Sequence, residues 1–263
     1  MIVKCSNDNI DEMISYIGRD YGKCLYLYID IKKYGMDTEF FNVWKQIDKN
    51  DELLAIVSKY YDGMQVYSKS NHVDEELIEF IYKNTPDMIV GMEEMIAEIG
   101  KGRQGYELEN GVVAYFDALK VEPDKNAYEA DDSEIKEIVD LLSEDEALGK
   151  PYGYEKLLKQ FIERKKDNFG RSFVLRDEKN DEIICHAGTY AELSDIAVIS
   201  GVITAPEYRG KGFSKGTLAA LCEKLQAEGK DVFSYYYIPA AEKMHIGTGF
   251  KKIGNWSKLV KKK

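Results

Sequence analysis

A mixed α/β protein of the α+β type, built as two domains, is what this sequence predicts, and three observations predict it. The chain has 263 residues, more than one small core usually organises when domains run to roughly 100–200 residues. Hydrophobic residues make up 44% and charged residues 32%, a balance that supports a folded chain and argues against disorder. Helical spacing and strand-like runs alternate along the chain, with no tandem repeat at a short period and no low-complexity tract.

The first half opens with a helix, since Ile10, Met13, Ile14 and Ile17 fall at helical spacing. Cys24 to Ile31 is aliphatic and aromatic; its alternation allows a strand and leaves a helix open. Leu53–Tyr61 and Met64–Tyr67 flank Asp62-Gly63, a hairpin signal, because the tight turn between paired strands needs φ > 0 at its centre. Glu75–Tyr82 reads as a helix, Met88–Val90 as a short strand running into a helix at Glu93–Ile99, and Val112–Phe116 as another strand. Pro123, in the charged run Lys120–Lys125, breaks regular structure and marks the best linker. A smaller α/β domain over residues 1–122 and a second domain over 126–263 follow.

The second half is more regular. Asp131 three residues before Glu134 forms a capping-box pattern ahead of a helix bearing Ile135, Ile138, Val139 and Leu142 on one face. A second helix carries Leu157, Leu158, Phe161 and Ile162. Three strand-like runs, Ser172–Arg176, Glu182–Tyr190 and Asp195–Thr204, precede a helix over Gly212–Glu228 that stops at Gly229. A strand at Val232–Tyr237, a short helix at Ala240–Ile246 and a last strand at Lys252–Leu259 complete the chain, with Lys261–Lys263 as a solvated tail.

Composition narrows the function. Lysine and arginine number 36 against 47 aspartates and glutamates, a net charge of −11. That disfavours nonspecific binding to nucleic acid or to an anionic membrane and suits a cationic substrate such as an amine. Apolar runs fall well short of the ~20 residues that span a bilayer, and Met1–Met13 lacks the apolar core of a signal peptide, so a cytoplasmic location is expected. Cys5, Cys24, Cys185 and Cys222 form no CxxC pair, and His72, His186 and His245 share no helical ligand spacing; no metal is expected.

The informative stretch runs from Asp195 to Leu225. A buried strand ends at Pro206 and turns through Glu207-Tyr-Arg-Gly-Lys-Gly-Phe-Ser214 into a long helix. Glycines let successive N–H groups point inward, and the helix start adds unsatisfied amides and a positive dipole end. Arg209, Lys211 and Lys215 add charge there in an otherwise acidic protein, so a diphosphate is the natural ligand. The loop is neither G-x-x-x-x-G-K-[ST] nor G-x-G-x-x-G, which turns the reading away from nucleoside triphosphate hydrolysis and dinucleotide binding.

Val202-Ile-Thr-Ala-Pro-Glu-Tyr-Arg-Gly-Lys-Gly-Phe-Ser214 resembles the acyl-CoA loop of the GNAT N-acetyltransferase superfamily. Arg209 and Gly212 match two fixed positions, and Ser214 stands where Gly or Ala is usual. Downstream, Pro239, Gly249 and Phe250 match a second family segment, with Ile238 replacing its Asn and His245 its Tyr. The resemblance covers the C-terminal half and implies an acyl-CoA fold with a central mixed sheet flanked by helices. It implies that Val202, Ile203 and Thr204 pair with the pantetheine arm and that Arg209, Gly210, Lys211, Gly212, Phe213 and Ser214 hold the pyrophosphate of acetyl-CoA. The strand containing Gly201 would splay from Val232–Tyr237, and a backbone N–H near Val202 or Ile203 would stabilise the oxyanion. The first half lacks a second such loop, but its element order suits a degenerate copy that shapes the acceptor pocket.

His245 is the sharpest catalytic candidate. An imidazolium could protonate the departing thiolate, and its unperturbed pKa of ~6.5 suits that work; a satisfied histidine is the alternative. For the base, Glu192 and Asp195 stand beside His186, Tyr190 and Tyr235–Tyr237, and spacing does not choose among them. Cys185 and Cys222 sit in apolar runs and read as inert thiols. The expected activity is direct acetyl transfer to a primary amine of a small molecule, without nucleic acid or membrane partners and with a homodimer allowed. A non-catalytic acyl-CoA module and an aminoacyl-tRNA-dependent transferase are the alternatives.

Overall fold

The computed structural model describes residues 1–146, 148–150 and 153–262, and the chain forms two compact units. One comprises Met1–Val113 with Ile253–Lys263, the other Ala114–Lys252. The division therefore falls outside the 120–125 segment expected to be the linker between domains 1–122 and 126–263. Hydrogen bonds give the reason. Asp117 N–H donates to Gly249 O at 3.2 Å, Lys120 N–H to Thr248 O at 3.0 Å and Asp124 N–H to Gly216 O at 3.1 Å. The Pro123 segment is thus strapped onto the second unit. Lys261 and Lys262 are likewise no free tail: their amides donate to Asp87 O and Gly105 O, each at 2.9 Å. Lys263 lies outside the described residues.

The first unit contains β1 (Ile2–Lys4), α1 (Ile10–Ile17), α2 (Leu25–Tyr34), β2 (Phe41–Ile47), β3 (Leu53–Tyr60), β4 (Gly63–Tyr67), α3 (Glu75–Lys83), β5 (Met88–Met92), α4 (Glu93–Gly100) and most of β6 (Tyr106–Phe116). Its sheet runs β1-β2-β3-β4-β5 and continues to the chain's last strand, with β4 and β5 parallel. Leu77 and Ile81 of α3 and Met95, Ile96 and Ile99 of α4 pack on Val57, Val66 and Ile89.

One open alternative closes here and one expectation shifts. Leu25–Ile31 is helical, with Cys24 as the cap. Leu25, Leu27, Tyr28, Ile29 and Ile31 are all buried, so the helix is apolar almost all round and shows no clean stripe. The β3–β4 hairpin exists, but its turn residues are Tyr61 and Asp62, one position early, because Tyr60 pairs with Gly63. The positive φ falls on Tyr61, at 49°. Tyr61 N–H donates to Phe40 O at 2.9 Å and Asp87 N–H to Asp62 O at 2.8 Å. Those tertiary bonds outweigh the local preference of Asp-Gly.

The second unit contains β7 (Tyr128–Glu129), α5 (Ile135–Ser143), α6 (Tyr154–Lys166), β8 (Ser172–Arg176), β9 (Ile183–Glu192), β10 (Ile196–Thr204), α7 (Phe213–Ala227), β11 (Asp231–Tyr236), α8 (Pro239–Thr248) and the start of β12 (Phe250–Lys261). The Asp131–Glu134 capping box is present. Sheet order is β11-β10-β9-β8-β7, with β10 and β11 parallel and the other pairs antiparallel. Helices α5 and α6 cover one face, where Ile138, Val139, Leu142 and Leu157 meet Val174 and Ile203. Phe213, opening α7, packs on the other against Leu175 and Cys185. All four cysteines are free and buried; burial pushes the Cys24 and Cys222 thiols well above their ordinary range, as inert core thiols require. Among the described residues no helix is long and apolar enough to cross a membrane.

Gly249 ends α8 with φ +134°, and a Cβ there would stand 1.9 Å from Ala118 O. Backbone atoms cannot move aside as a flexible side chain can. Gly249→Ala is expected to destabilise the protein by about 3 kcal/mol or more, combining steric overlap with a glycine-only backbone. Urea unfolding of the two proteins measures it.

Candidate acyl-CoA site

Strand β10 is where the site begins. It pairs with β11 only from Ile196↔Asp231 to Ile199↔Ser234 among the described residues. Beyond that, Ser200–Thr204 and Tyr235–Tyr236 diverge, as the expected splay requires. On its other side β10 stays paired to β9 through Ile203↔His186 and Thr204↔Cys185, after a register shift between Ser200 and Ile203. Gly201 sits in that shift with φ +65°, a conformation that glycine adopts without a Cβ penalty. Val202, Ile203 and Thr204 therefore line the end of a strand with one free edge.

The glycine loop follows directly. Pro206–Tyr208 makes a short 3₁₀ turn. Gly210 and Gly212 have φ +79° and +91°, with open space where a Cβ would project. Gly212 is the N-cap of α7, so the amides of Phe213 and Ser214 occupy the first turn of a fifteen-residue helix. Among the described residues, the amides of Gly210 to Ser214 meet no backbone acceptor. Unsatisfied amides at a helix start, beside an αL glycine, are what an anion needs.

The basic side chains do not converge. Arg209 Nε donates to Thr204 O at 3.0 Å, and its Nη2 lies 3.6 Å from Asp145. Lys211 Nζ sits over the Tyr208 ring, 4.9 Å from its centroid. Lys215 reaches across to α8, where a Cβ on Gly247 would meet its Nζ at 2.7 Å. The loop backbone is formed, while its charges rest on protein groups.

His245 takes its expected place on α8, but not its expected charge. It is 4% exposed. Ser234 Oγ donates to its Nε2 at 2.8 Å, and its Nδ1–H donates to Ala241 O at 2.7 Å. The ring stacks on Tyr236, with centroids 4.9 Å apart at 20°, and meets Phe250 edge-on. Burial pushes its pKa down to about 4. The imidazolium expected at neutrality is therefore absent, and both ring nitrogens are occupied. Beside it, the buried Tyr236 hydroxyl has no hydrogen-bond partner among the described residues. Ser234 carried no sequence signal: it lies eleven residues from His245 on another element.

Glu192 and Asp195 are not brought to this place. Glu192 pairs with Ala197, roughly 15 Å from Val202 at the usual rise per strand residue. It is buried and held by Arg171 at 2.8 Å, Lys230 at 2.6 Å and the Thr189 hydroxyl at 2.6 Å. Burial pushes its carboxyl up, but the bonds from Arg171, Lys230 and Thr189 outweigh that and leave it below the ordinary value. Of the base candidates, Glu192 is thus committed to a buried ion-pair cluster. Asp195 precedes β10 at the same end, and its carbonyl accepts from Asp231 N–H at 2.9 Å. His186 is also occupied at both nitrogens, by Gly201 O at 2.6 Å and Ser172 Oγ at 2.9 Å.

Comparison with known proteins agrees with this geometry. Residues 135–242 match the family model described as Acetyltransferase (GNAT) family. No curated protein matches the chain. Among solved structures, a GNAT-family acetyltransferase from Colwellia psychrerythraea is 12% identical with TM-score 0.60, covering 100% of both chains. A GCN5-related N-acetyltransferase from Sphaerobacter thermophilus is 11% identical with TM-score 0.68, covering 98% of this chain and 94% of its own. A tandem GNAT protein from the clavulanic acid biosynthesis pathway is 10% identical with TM-score 0.57, covering 98% of this chain and 97% of its own. At these identities the likeness concerns the fold, and it extends over the first half of the chain.

Protonation of His245 costs stability in a definite window. Its folded pKa of about 4 lies below the 6.5 of the free side chain. Above 6.5 both states are neutral and the stabilisation is full. As pH falls from 6.5 towards 4 only the unfolded chain takes up the proton, so stability is lost at up to about 1.4 kcal/mol per pH unit. Buried Asp30, pushed up to about 7 by burial, acts in the opposite sense, and a difference measurement cancels it. The stability advantage of the native protein over His245→Gln should shrink from pH 6.5 to pH 4, read by urea unfolding at each pH.

Proposed function

We propose that this protein, whose residues 135–242 match the GNAT acetyltransferase family model, transfers an acetyl group from acetyl-CoA to a primary amine of a small molecule. The observation that carries the reading is the coincidence, within one unit, of a diverging β10–β11 pair and an αL-glycine loop capping α7. The first offers a free strand edge to an amide-bearing arm, and the second offers amides to a diphosphate. The coenzyme supplies an activated thioester when bound.

This chain's residues then have separable tasks. The amides from Gly210 to Ser214 hold the two linked phosphates, and Arg209 and Lys211 release their protein contacts to join them. Val202 and Thr204 hold the pantetheine arm through backbone groups on the free edge of β10. Backbone N–H groups at the Gly201 bulge face the charge that develops on the acyl oxygen. The Tyr236 phenol, seated flat on a neutral His245, gives its proton to the departing thiolate, while the proton lost by the amine passes to solvent, from which the phenolate is reprotonated. Burial raises the Tyr236 pKa and keeps that proton in place beforehand. His245 thereby changes role from acid to platform, fixed by Ser234 and Ala241. The overall acidity of the chain, −11, favours a cationic amine approaching from solvent.

A second reading, an acyl-CoA-binding module without turnover, is favoured by one observation: His245 has no nitrogen free for proton transfer. Calorimetry and turnover together separate the two. Coenzyme A should bind the native protein, and Arg209→Gln with Lys211→Gln should weaken binding at least tenfold. No heat with either free or acetylated coenzyme removes both readings. Binding without thioester cleavage across a broad amine panel leaves the module.

Turnover also tests the acid. Tyr236→Phe should lower kcat by about 100-fold, the low end for general acid catalysis, with the dissociation constant for coenzyme A little changed. An unaltered kcat assigns the proton to another group.

A further inference from the structure

The buried histidine on β9 has no place in the steps above, yet the backbone geometry of the proposed site converges on it. We infer that His186 is a positioning residue that turns the Gly201–Val202 peptide so that the Val202 N–H faces the acyl oxygen. This rests on the acetyl-CoA reading and adds to it the side chain that sets the oxyanion donor.

The register supplies the first step. Ser200 pairs with Gly188 and Ile203 with His186, so three steps along β10 match two along β9. One residue is extra, and the peptide at Gly201–Val202 leaves the regular ladder. Such a peptide needs something to fix its direction.

His186 fixes it. The ring is 1% exposed. Gly201 O can only accept, so the bond of 2.6 Å places the proton on Nδ1, and Nε2 accepts from Ser172 Oγ at 2.9 Å. Burial keeps the ring neutral, with its pKa down to about 4, which maintains this one-donor, one-acceptor arrangement.

Peptide planarity carries the effect across the sheet. In a trans peptide the C=O of one residue and the N–H of the next point in opposite directions, and the described chain contains no cis bond. His186 shares the α5–α6 face with its cross-strand partners Val174 and Ile203. Drawing Gly201 O towards that face turns the Val202 N–H to the α7 face, where the glycine loop lies.

The neighbours are shaped to permit this bond. A Cβ at Gly188 would meet His186 Cε1 at 2.9 Å and Arg171 O at 3.0 Å. A Cβ at Gly201 would meet the same ring at 3.2 Å. Glycine at both positions leaves room for the imidazole, and Ser172 orients it. With both nitrogens committed, His186 does not take the proton of the amine.

Two substitutions divide its bonds. His186→Asn keeps a donor near the Nδ1 position and loses the Ser172 contact. His186→Gln keeps a group near Nε2 and loses the Gly201 contact. The expected results are near-native kcat for Asn and about a 100-fold fall for Gln, with dissociation constants for coenzyme A within about threefold, on the scale of losing one oxyanion donor. Infrared spectra of bound ¹³C-carbonyl acetyl-CoA give a readout that needs no amine. The thioester carbonyl stretch should shift to lower frequency in the native protein and in Asn, and return towards its free value in Gln. A native spectrum without that shift, while acetyl-CoA binds, overturns the inference and leaves the coenzyme reading standing. Equal behaviour of Asn and Gln, or the reverse order, overturns it too. Failure of the native protein to bind either form of the coenzyme brings down the functional reading itself.

Discussion

Strand β10 has two neighbours and satisfies them differently along its length. Over Ile196–Ile199 it is fully laddered, to β9 on one side and β11 on the other. Past Ile199 the parallel partner departs while the antiparallel one stays. Backbone groups on one edge are thereby left without a strand, along the half-buried residues Ser200, Gly201, Val202 and Thr204, and such groups are costly unless a ligand or solvent meets them. The glycine loop, the cap of α7 and the platform of His245 all lie around this released edge. Pairing on the β9 side prevents the edge from collapsing, because Ile203 and Thr204 remain anchored.

Charge is handled by separation within the same unit. At the closed end of the strands, Arg171, Lys230, Glu192 and Glu228 form a half-buried cluster, with contacts of 2.6–2.8 Å among them. A buried carboxylate so paired is stable only while its partners remain, and removing one partner of such a pair costs several kcal/mol. At the open end the buried side chains are neutral, two histidines, a serine on each, and a phenol, while Arg209, Lys211 and Lys215 stay on the loop and the start of α7. Developing charge there meets oriented dipoles rather than a fixed counter-ion. That arrangement suits an oxyanion, which exists only transiently.

What the sequence disclosed followed from how local the cause was. Gly201, Gly210 and Gly212 were legible because a positive φ is written at the residue that bears it. The Asp131–Glu134 box and the order of elements in the second unit were legible for the same reason. The protonation of His245 was not, since it is set by Ser234 from strand β11 and by burial that no spacing reveals. The ion pairing of Glu192 was hidden for a matching cause: its partners Arg171 and Lys230 lie 21 and 38 residues away. The Asp62-Gly63 turn shifted by one because Phe40 and Asp87 hold it from outside. Position was local information here, while ionisation and exact turn register were not.

The last strand has a consequence for how the chain is made. Trp256–Val260 of β12 pair with Met88–Met92 of β5, and Leu259 completes the apolar cluster under α3 and α4. The strands of this unit made before Ala114 therefore await a segment made only after the whole second unit. Until Leu259 is released, Ile96 and Ile99 lack one of their packing partners and the β5 edge stays open. Vectorial folding, amino end before carboxyl end, is closed to this half of the molecule, and a nascent chain stalled before β12 would present a strand edge to chaperones or to its neighbours.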